Sequence, residues 1–467
     1  MKSLQDLIDS KPNLVEYFYN DTISPFYKSR TELFSRLNLI EREYTNWRDE
    51  QRAAHETCVL TNQSHHMPVL IVRGPDARKM LQHLTPISLA NVTQDRAKQY
   101  FSVTPRGYHI GDCLMYYHGE EKGYELISGM PVLNWVRYHG ESGEYDVEVG
   151  FEPTTPFNPT GKRSKFRFQI EGPTAFDVLN DVVEGGWPEL KFFDIKPVKI
   201  AGVEVLALSH SMGAGGRAGA ELSGDYQHLD TVRDAIMKAG EKHGIRLGGL
   251  LLYFSHGLIG GWIAYPLPAI YTGDDLRPYR EWLSADSWEA NAQIGGSFYS
   301  ENIDDYYWTP SALGYDRLVK FDHDFIGREA LERGMPSHGR VRRIFVWNRE
   351  DVQRVIASQL SASDRFKAME LPIPGYGWPQ ADELRSEDGN VVGVSQHVGY
   401  FTFGPDIISL GCVDREHAER GTELVLTWGE PNGGSRKPHV EPHMQAKIRV
   451  RVIEPPYSPD KHFSTKA

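Results

Sequence analysis

The rhythm of hydrophobic and polar positions changes several times along the chain, and the changes divide it. In Val69–Leu84, VLIVRGPDARKMLQHL, a β-branched run gives way at Gly74-Pro75 to apolar positions at helical spacing. Phe168–Val182, FQIEGPTAFDVLNDV, repeats the pattern around Gly172-Pro173. Each segment predicts a strand, a Gly-Pro turn and an amphipathic helix. Proline suits the first helical turn because its missing N–H has no partner to lose there. A repeated strand–helix unit predicts two related α+β halves, against the alternative of chance similarity between two short segments. Between them Glu152–Ser164, EPTTPFNPTGKRS, reads as a crossing loop.

From about Val341 the runs shorten. Arg342–Val346, Val391–Val394, Thr422–Thr427 and Lys447–Val452 are alternating or β-branched, and turns such as Glu430-Pro431-Asn432-Gly433-Gly434 part them. This pattern predicts a small barrel or sandwich. The first 38 residues read as a helical N-terminal extension. The expected organisation is therefore an extension over 1–38, two interleaved α+β domains over 39–340, and an all-β domain over 341–467.

Composition narrows the function classes. A chain of 467 residues with 40% hydrophobic and 24% charged residues fits two or three globular domains. No apolar run approaches the roughly 20 residues that cross a bilayer. The N-terminal MKSLQDLIDSKPNLVEYF lacks a charged-then-apolar signal layout, so the expected compartment is the cytoplasm. A net charge of -12 argues against a nucleic-acid partner. Cys58, Cys113 and Cys412 are widely separated and supply neither a CxxC motif nor a disulfide framework.

Four stretches offer chemistry. In Gln63–Met67, QSHHM, adjacent histidines on an extended segment point to opposite faces, and no third ligand stands at a recognisable spacing. No metal is expected; one histidine facing a cleft competes with a satisfied structural one. Gly213–Glu221, GAGGRAGAE, follows a plausible strand at Val205–Ser209, but Ala220–Leu222 returns to extended structure, as in a hairpin and not a phosphate loop. The carboxylate of Glu221 has the right form to accept two parallel N–H bonds from a 2-amino-pyrimidinone; a solvated strand-end glutamate is the other reading. Leu250–Trp262, LLLYFSHGLIGGW, is either a core helix ended by glycines or a helix that aims Tyr253 into a cleft beside a Trp262 wall. His439 and His443 near Glu441 fall in the β-rich region and read as turn residues.

Phe321–Leu331, FDHDFIGREAL, read alone is a polar turn, a glycine break at Gly327 and the start of a helix. It also resembles the FIGREAL marker of the glycine-cleavage T-protein (aminomethyltransferase) family. Within that family the chain is most similar to the tetrahydrofolate-dependent aryl-ether O-demethylases of the vanillate/3-O-methylgallate and syringate types. The matching stretches are Asn46-Trp47-Arg48, Gln63–Met67, Ala97–Tyr100, Leu190–Phe193, Gly261–Asp274, Tyr279–Leu283, Gly295–Phe298, Phe321–Leu331 and Trp428–Gly434. They span nearly the whole chain.

The resemblance implies a three-domain ring around a folate channel, with tetrahydrofolate as methyl acceptor and a lignin-derived methoxylated aromatic as donor. It implies Glu221 on the pterin, Phe192 and Trp262 against flat parts of the cofactor, and Gln63 and Ile127 at the methyl-transfer site. Tyr253 falls at the catalytic tyrosine and His66 at a substrate-facing histidine. The family's paired aspartates in a GxxxDD turn correspond here to Gly111-Asp112, with one acid missing, which argues against aminomethyl chemistry. Where the vanillate-type enzyme carries an active-site arginine this chain reads Ser128-Gly129-Met130, and Leu33–Glu43 lacks the tyrosines expected to wall the donor site. Two alternatives stand beside this reading. One is a folate-dependent demethylase of a methylated amine or sulfonium. The other is a non-enzymatic folate-binding or iron–sulfur-assembly relative, whose KGCYxGQE-like motif is replaced here by DHDFIGREA.

Overall fold

A computed structural model describes residues 2–22, 41–158, 160, 162–210, 219–264, 266–334, 339–373 and 380–458. Its framework is two sheets and a barrel, and the chain visits the sheets in an interleaved order. Strand Val59–Asn62 starts a six-stranded sheet; the chain then leaves to build a five-stranded sheet between Val69 and Glu152, and returns at Lys165–Glu171. The six-stranded order is Arg246–Gly248, Val59–Asn62, Lys165–Glu171, Gly219–Asp225, Val203–Leu208 and Ile195–Ile200. The pairing of Val59–Asn62 with Arg246–Gly248 is parallel and the others in that sheet are antiparallel. This is the α+β arrangement expected of the two halves.

The repeated unit is present in both sheets. Strand Val69–Arg73 leads through Gly74-Pro75 into helix Ala77–His83, and strand Lys165–Glu171 leads through Gly172-Pro173 into helix Ala175–Val182. Both glycines have positive φ, +115° and +125°. A side chain at Gly172 would drive its Cβ to 2.5 Å from the Thr57 carbonyl, and at Gly74 to 2.5 Å from that of Asp146. Only glycine allows the turn to lie so close to its neighbour.

The barrel closes in the order Arg340–Trp347, Asp406–Asp414, Val391–Phe401, Asp382–Arg385, Glu423–Trp428 and Ala446–Ile453. Two of these strands, Asp382–Arg385 and Asp406–Asp414, were not anticipated. Trp347, Trp428, Leu426 and Ile448 fill its centre. Outside the barrel, Ile344, Phe401 and Ile453 pack against Leu258, Ile259 and Phe325. The FIGREAL stretch thus works as a fastening: Phe325 is buried in that cluster, the Ile326 N–H donates to the His83 carbonyl at 2.9 Å, and helix Arg328–Glu332 follows.

Near the N-terminus lie helices Leu4–Asp9 and Leu14–Asn20. Their Leu4, Leu7, Val15 and Phe18 belong to the core of the five-stranded sheet, so this part of the expected extension is built into the body. Residues 23–40, which include most of the Leu33–Glu43 stretch, lie outside the described residues, as do residues 213–218 of the glycine-rich segment. Among the described residues no helix is long and apolar enough to cross a membrane.

Candidate active site

The six-stranded sheet turns an unusual face inward. On strand Lys165–Glu171 the residues Phe166, Phe168 and Ile170 enter an apolar core with helix Ala175–Val182. The alternate set is Arg167, Gln169 and Glu171, all buried as well. Register places Gln169 opposite Thr61 on one side and Glu221 on the other. A polar strip therefore runs across three strands inside the molecule, where unmatched polar groups are costly. It forms one wall of a cavity.

The cavity is lined by Gln63, His66, Ile127, Glu221, Tyr253 and Trp262, six of the seven residues expected from the sequence. Phe192 is the exception. It is 62% exposed and stacks on Phe193 with ring centroids 4.2 Å apart, and Phe193 is the one that lines the cavity. Phe193 adopts φ +68° and ties its backbone to Ala97 and Ser209, a local twist that reverses which of the two phenylalanines faces inward. Residues 64–66 form a turn, not an extended segment, yet the histidines still diverge. His65 reaches Thr155 at 3.0 Å, while His66 Nε2 lies 3.3 Å from the Tyr253 hydroxyl.

Tyr253, half-buried, sits on helix Leu250–His256, whose buried residues anchor it in the core. Its hydroxyl also accepts from Gln63 Nε2 at 3.3 Å. Gln63 Nε2 donates in turn to Gln169 Oε1, and Gln169 Nε2 donates to Glu171 Oε2 at 2.8 Å. Glu171 Oε1 lies 2.9 Å from His256 Nδ1, one turn along the helix from Tyr253. Opposite, Trp262 Nε1, Gln99 Nε2 and the Tyr315 hydroxyl all donate to Asp112 Oδ2, at 3.0, 3.1 and 2.9 Å. That carboxylate holds the indole edge-on to it and so fixes the Trp262 wall.

Burial shapes the charges. It pushes the Glu221 carboxyl up from the ordinary 4.5 to about 7, against the pull of Arg167. Arg167 is committed elsewhere, to Glu125 at 2.5 Å. His210, 3.7 Å from Glu221, is driven down to about 3 by burial and stays neutral. His66 falls to about 3 through burial and the nearby His65 and Arg163. Among the described residues the lining contains no lysine or arginine, and Ser128 of the Ser128-Gly129-Met130 stretch belongs to it. Several buried polar atoms on this lining lack partners: Gln63 Oε1, His66 Nδ1, His210 Nδ1 and His256 Nε2. Such atoms in a polar cavity are positions for the polar groups of a ligand. A buried carboxylate, a flat indole and unpartnered acceptors and donors together fit a pterin. His210, Gln169, Glu171 and His256 were not singled out from the sequence.

Comparison with known proteins accords with this geometry. The GCVT N-terminal domain profile matches residues 17–252. The chain is 39% identical to the syringate O-demethylase of Sphingobium sp. (strain NBRC 103272 / SYK-6), over 98% of this chain and 96% of that one. The chain belongs to the GCVT family. The chain is also similar to the sesamin methylene transferase of Sinomonas sp. (strain No.22), at 26% identity over 91% of this chain and 92% of that one. The GCVT fold is shared with the glycine cleavage system aminomethyltransferase T from Bartonella henselae. That structure superposes with a TM-score of 0.58 at 16% identity, covering 90% of this chain and 91% of the other.

Proposed function

We propose that this GCVT-family enzyme transfers the methyl group of a methoxylated aromatic, of the lignin-derived syringate or vanillate kind, to N5 of tetrahydrofolate, releasing the phenol. The observation that carries the reading is one cavity holding both a buried carboxylate, Glu221, and a phenol, Tyr253, in hydrogen-bond reach of His66 and Gln63. Tetrahydrofolate supplies the nucleophilic amine that takes the methyl group. Glu221 in its carboxylate form accepts the paired N–H groups of the pterin, and Trp262 walls the ring.

The difficulty of the reaction lies at the leaving oxygen. A phenol has a pKa of about 10, so a bare phenolate is a poor leaving group at neutral pH. Tyr253 donates its proton to that oxygen, a contribution of ~10²–10⁴ in rate for a well-placed acid. His66, neutral at all ordinary pH, orients a hydroxyl next to the methoxy group. Ile127 and Phe193 press the apolar ring into line, and alignment of the reacting atoms supplies much of the remainder. A methylated amine or sulfonium would want carboxylates turned on its positive charge. Asp112 and Glu171 are instead engaged by Trp262, Gln99, Tyr315, Gln169 and His256, which favours the aromatic donor. Three free, buried cysteines and the net charge of -12 support a cytoplasmic setting without nucleic acid as a partner.

The test is anaerobic incubation with tetrahydrofolate and syringate, vanillate, 3-O-methylgallate, guaiacol or vanillin. Equal amounts of product phenol and 5-methyltetrahydrofolate are expected, and Tyr253→Phe should lose both while still binding folate. Folate binding with neither product from any ring would end the aryl-ether reading.

A further inference from the structure

We propose that Glu171 is a positioning residue of this site, one that fixes the direction of every hydrogen bond between itself and Tyr253. The inference rests on the reading of Tyr253 as the acid of an aryl-ether demethylation, but it concerns a group that acts without touching the donor.

The argument is one of polarity. Glu171 is 3% exposed and lies at the end of the polar strip, where its side chain is enclosed with His256. An ionised carboxylate only accepts hydrogen bonds. Gln169 must therefore offer its amide nitrogen to Glu171 Oε2, which leaves Gln169 Oε1 facing Gln63. An amide oxygen also only accepts, so Gln63 must present its nitrogen. The second hydrogen of that nitrogen then points at the Tyr253 oxygen. Tyr253 consequently receives from Gln63 and does not spend its own proton on it. That proton is thereby directed away from the glutamine bridge, to the side where His66 Nε2 lies 3.3 Å away and where the leaving oxygen needs it.

Without a fixed end the two glutamines could both turn over. Gln63 would then offer Oε1 to Tyr253, and the phenol would donate into the wall of the cavity. The same carboxylate sets the other branch: Glu171 Oε1 faces His256 Nδ1, so this nitrogen carries a hydrogen and Nε2, which has no partner, is left to the cavity. Burying such a carboxylate is expensive, and a buried polar pair is weak as a device for stability alone. A structural account explains neither the two-glutamine bridge nor its termination on the phenol.

The tautomer of His256 can be read without any ligand. In full-length protein with ¹⁵N-labelled histidine, two-bond ¹⁵N–¹H correlations should show His256 with a hydrogen on Nδ1, assigned by its loss in His256→Asn. A neutral ring with its hydrogen on Nε2 alone would overturn the proposal. In Glu171→Gln the one amide oxygen can serve only one branch: the ring should keep its Nδ1 hydrogen on that oxygen, while the amide nitrogen turns on Gln169 and reverses the bridge to Tyr253. That variant's kcat should fall ~10–10²-fold, with folate Kd and donor KM within about twofold of wild type. Glu171→Asp, which keeps an acceptor-only end, should recover part of kcat. Equal losses in kcat and folate affinity, or no loss in kcat, would refute the positioning role. If Glu171→Gln does not fold, the wild-type tautomer still decides. The tautomer is independent of demethylation, so failure of one leaves the other standing.

Discussion

Glu221 shows how a single buried side chain links pH to both stability and binding. Its carboxyl is shifted from 4.5 to about 7 by burial, so the folded protein holds a proton that the unfolded chain has already released. The stability this contributes is complete below pH 4.5 and is lost as pH rises through 7. On the role proposed for Glu221 binding runs the other way, because a pterin held by it needs an acceptor on both carboxylate oxygens. Folate affinity of the wild type should therefore rise about tenfold per pH unit from 5.5 to near 7 and level off above it. Glu221→Gln should bind folate weakly at every pH, and should melt higher than wild type at pH 8 but not at pH 4.5. Titrations by tryptophan fluorescence across this range and thermal melts at the two pH values check both halves; a wild-type Kd flat across the range would remove Glu221 from the pterin. At this scale the cavity lining was readable where a residue type sits in an unusual motif, as with Tyr253, His66 and Glu221. It was silent on Gln169 and Glu171, because alternating Phe-Arg-Phe-Gln-Ile-Glu is the ordinary signature of a strand with one wet face. Here that face is buried, and only the tertiary fold shows it. The choice between Phe192 and Phe193 turned on one positive φ, which no pattern of side chains encodes.

The two strand–Gly-Pro–helix units were legible because punctuation by Gly and Pro is local and strong. Barrel strand Asp382–Arg385 was not, since it has four residues of which three are charged, and its place is set by pairing on both sides. The paired units also allow a controlled comparison. An alanine at either turn glycine forces a positive φ on a side chain and presses Cβ to 2.5 Å from a carbonyl oxygen. Each of Gly74→Ala and Gly172→Ala should cost about 1–3 kcal/mol in urea denaturation. Their activities should differ. Gly74 lies at the end of a strand in the five-stranded sheet, whereas Gly172 directly follows Glu171. At a temperature where both variants are folded, Gly172→Ala should lose kcat and Gly74→Ala should keep it. Matching kcat values would mean that the polar strip tolerates movement of its strand end.

At the scale of the whole molecule, the barrel contributes to the cavity. It lends His397 to the cavity lining, and the chain after its last strand crosses the turn that follows the Tyr253 helix, with the Tyr457 N–H donating to the Ile259 carbonyl at 3.0 Å. Gln51, fully buried on helix Trp47–Glu56, ties the parts together. Its amide nitrogen donates to Ser255 Oγ at 3.0 Å, on the Tyr253 helix, and to the Tyr400 carbonyl at 2.9 Å, on the barrel. Its oxygen accepts from the Thr402 N–H at 3.1 Å. Gln51→Leu preserves most of the volume but strands the Thr402 N–H and the Tyr400 carbonyl, at about 1–3 kcal/mol for each group left unpaired. The melting temperature should fall. More informative is the division between the two halves of the reaction. Glu221 is held by the six-stranded sheet, which Gln51 does not touch through these bonds, so folate Kd should change little. Tyr253 rides on the helix that Gln51 locks to the barrel, so kcat should fall more than stability alone explains, when measured well below the melting transition. A Gln51→Leu enzyme with lowered melting but wild-type kcat would show that the sheets position the phenol by themselves, without the barrel.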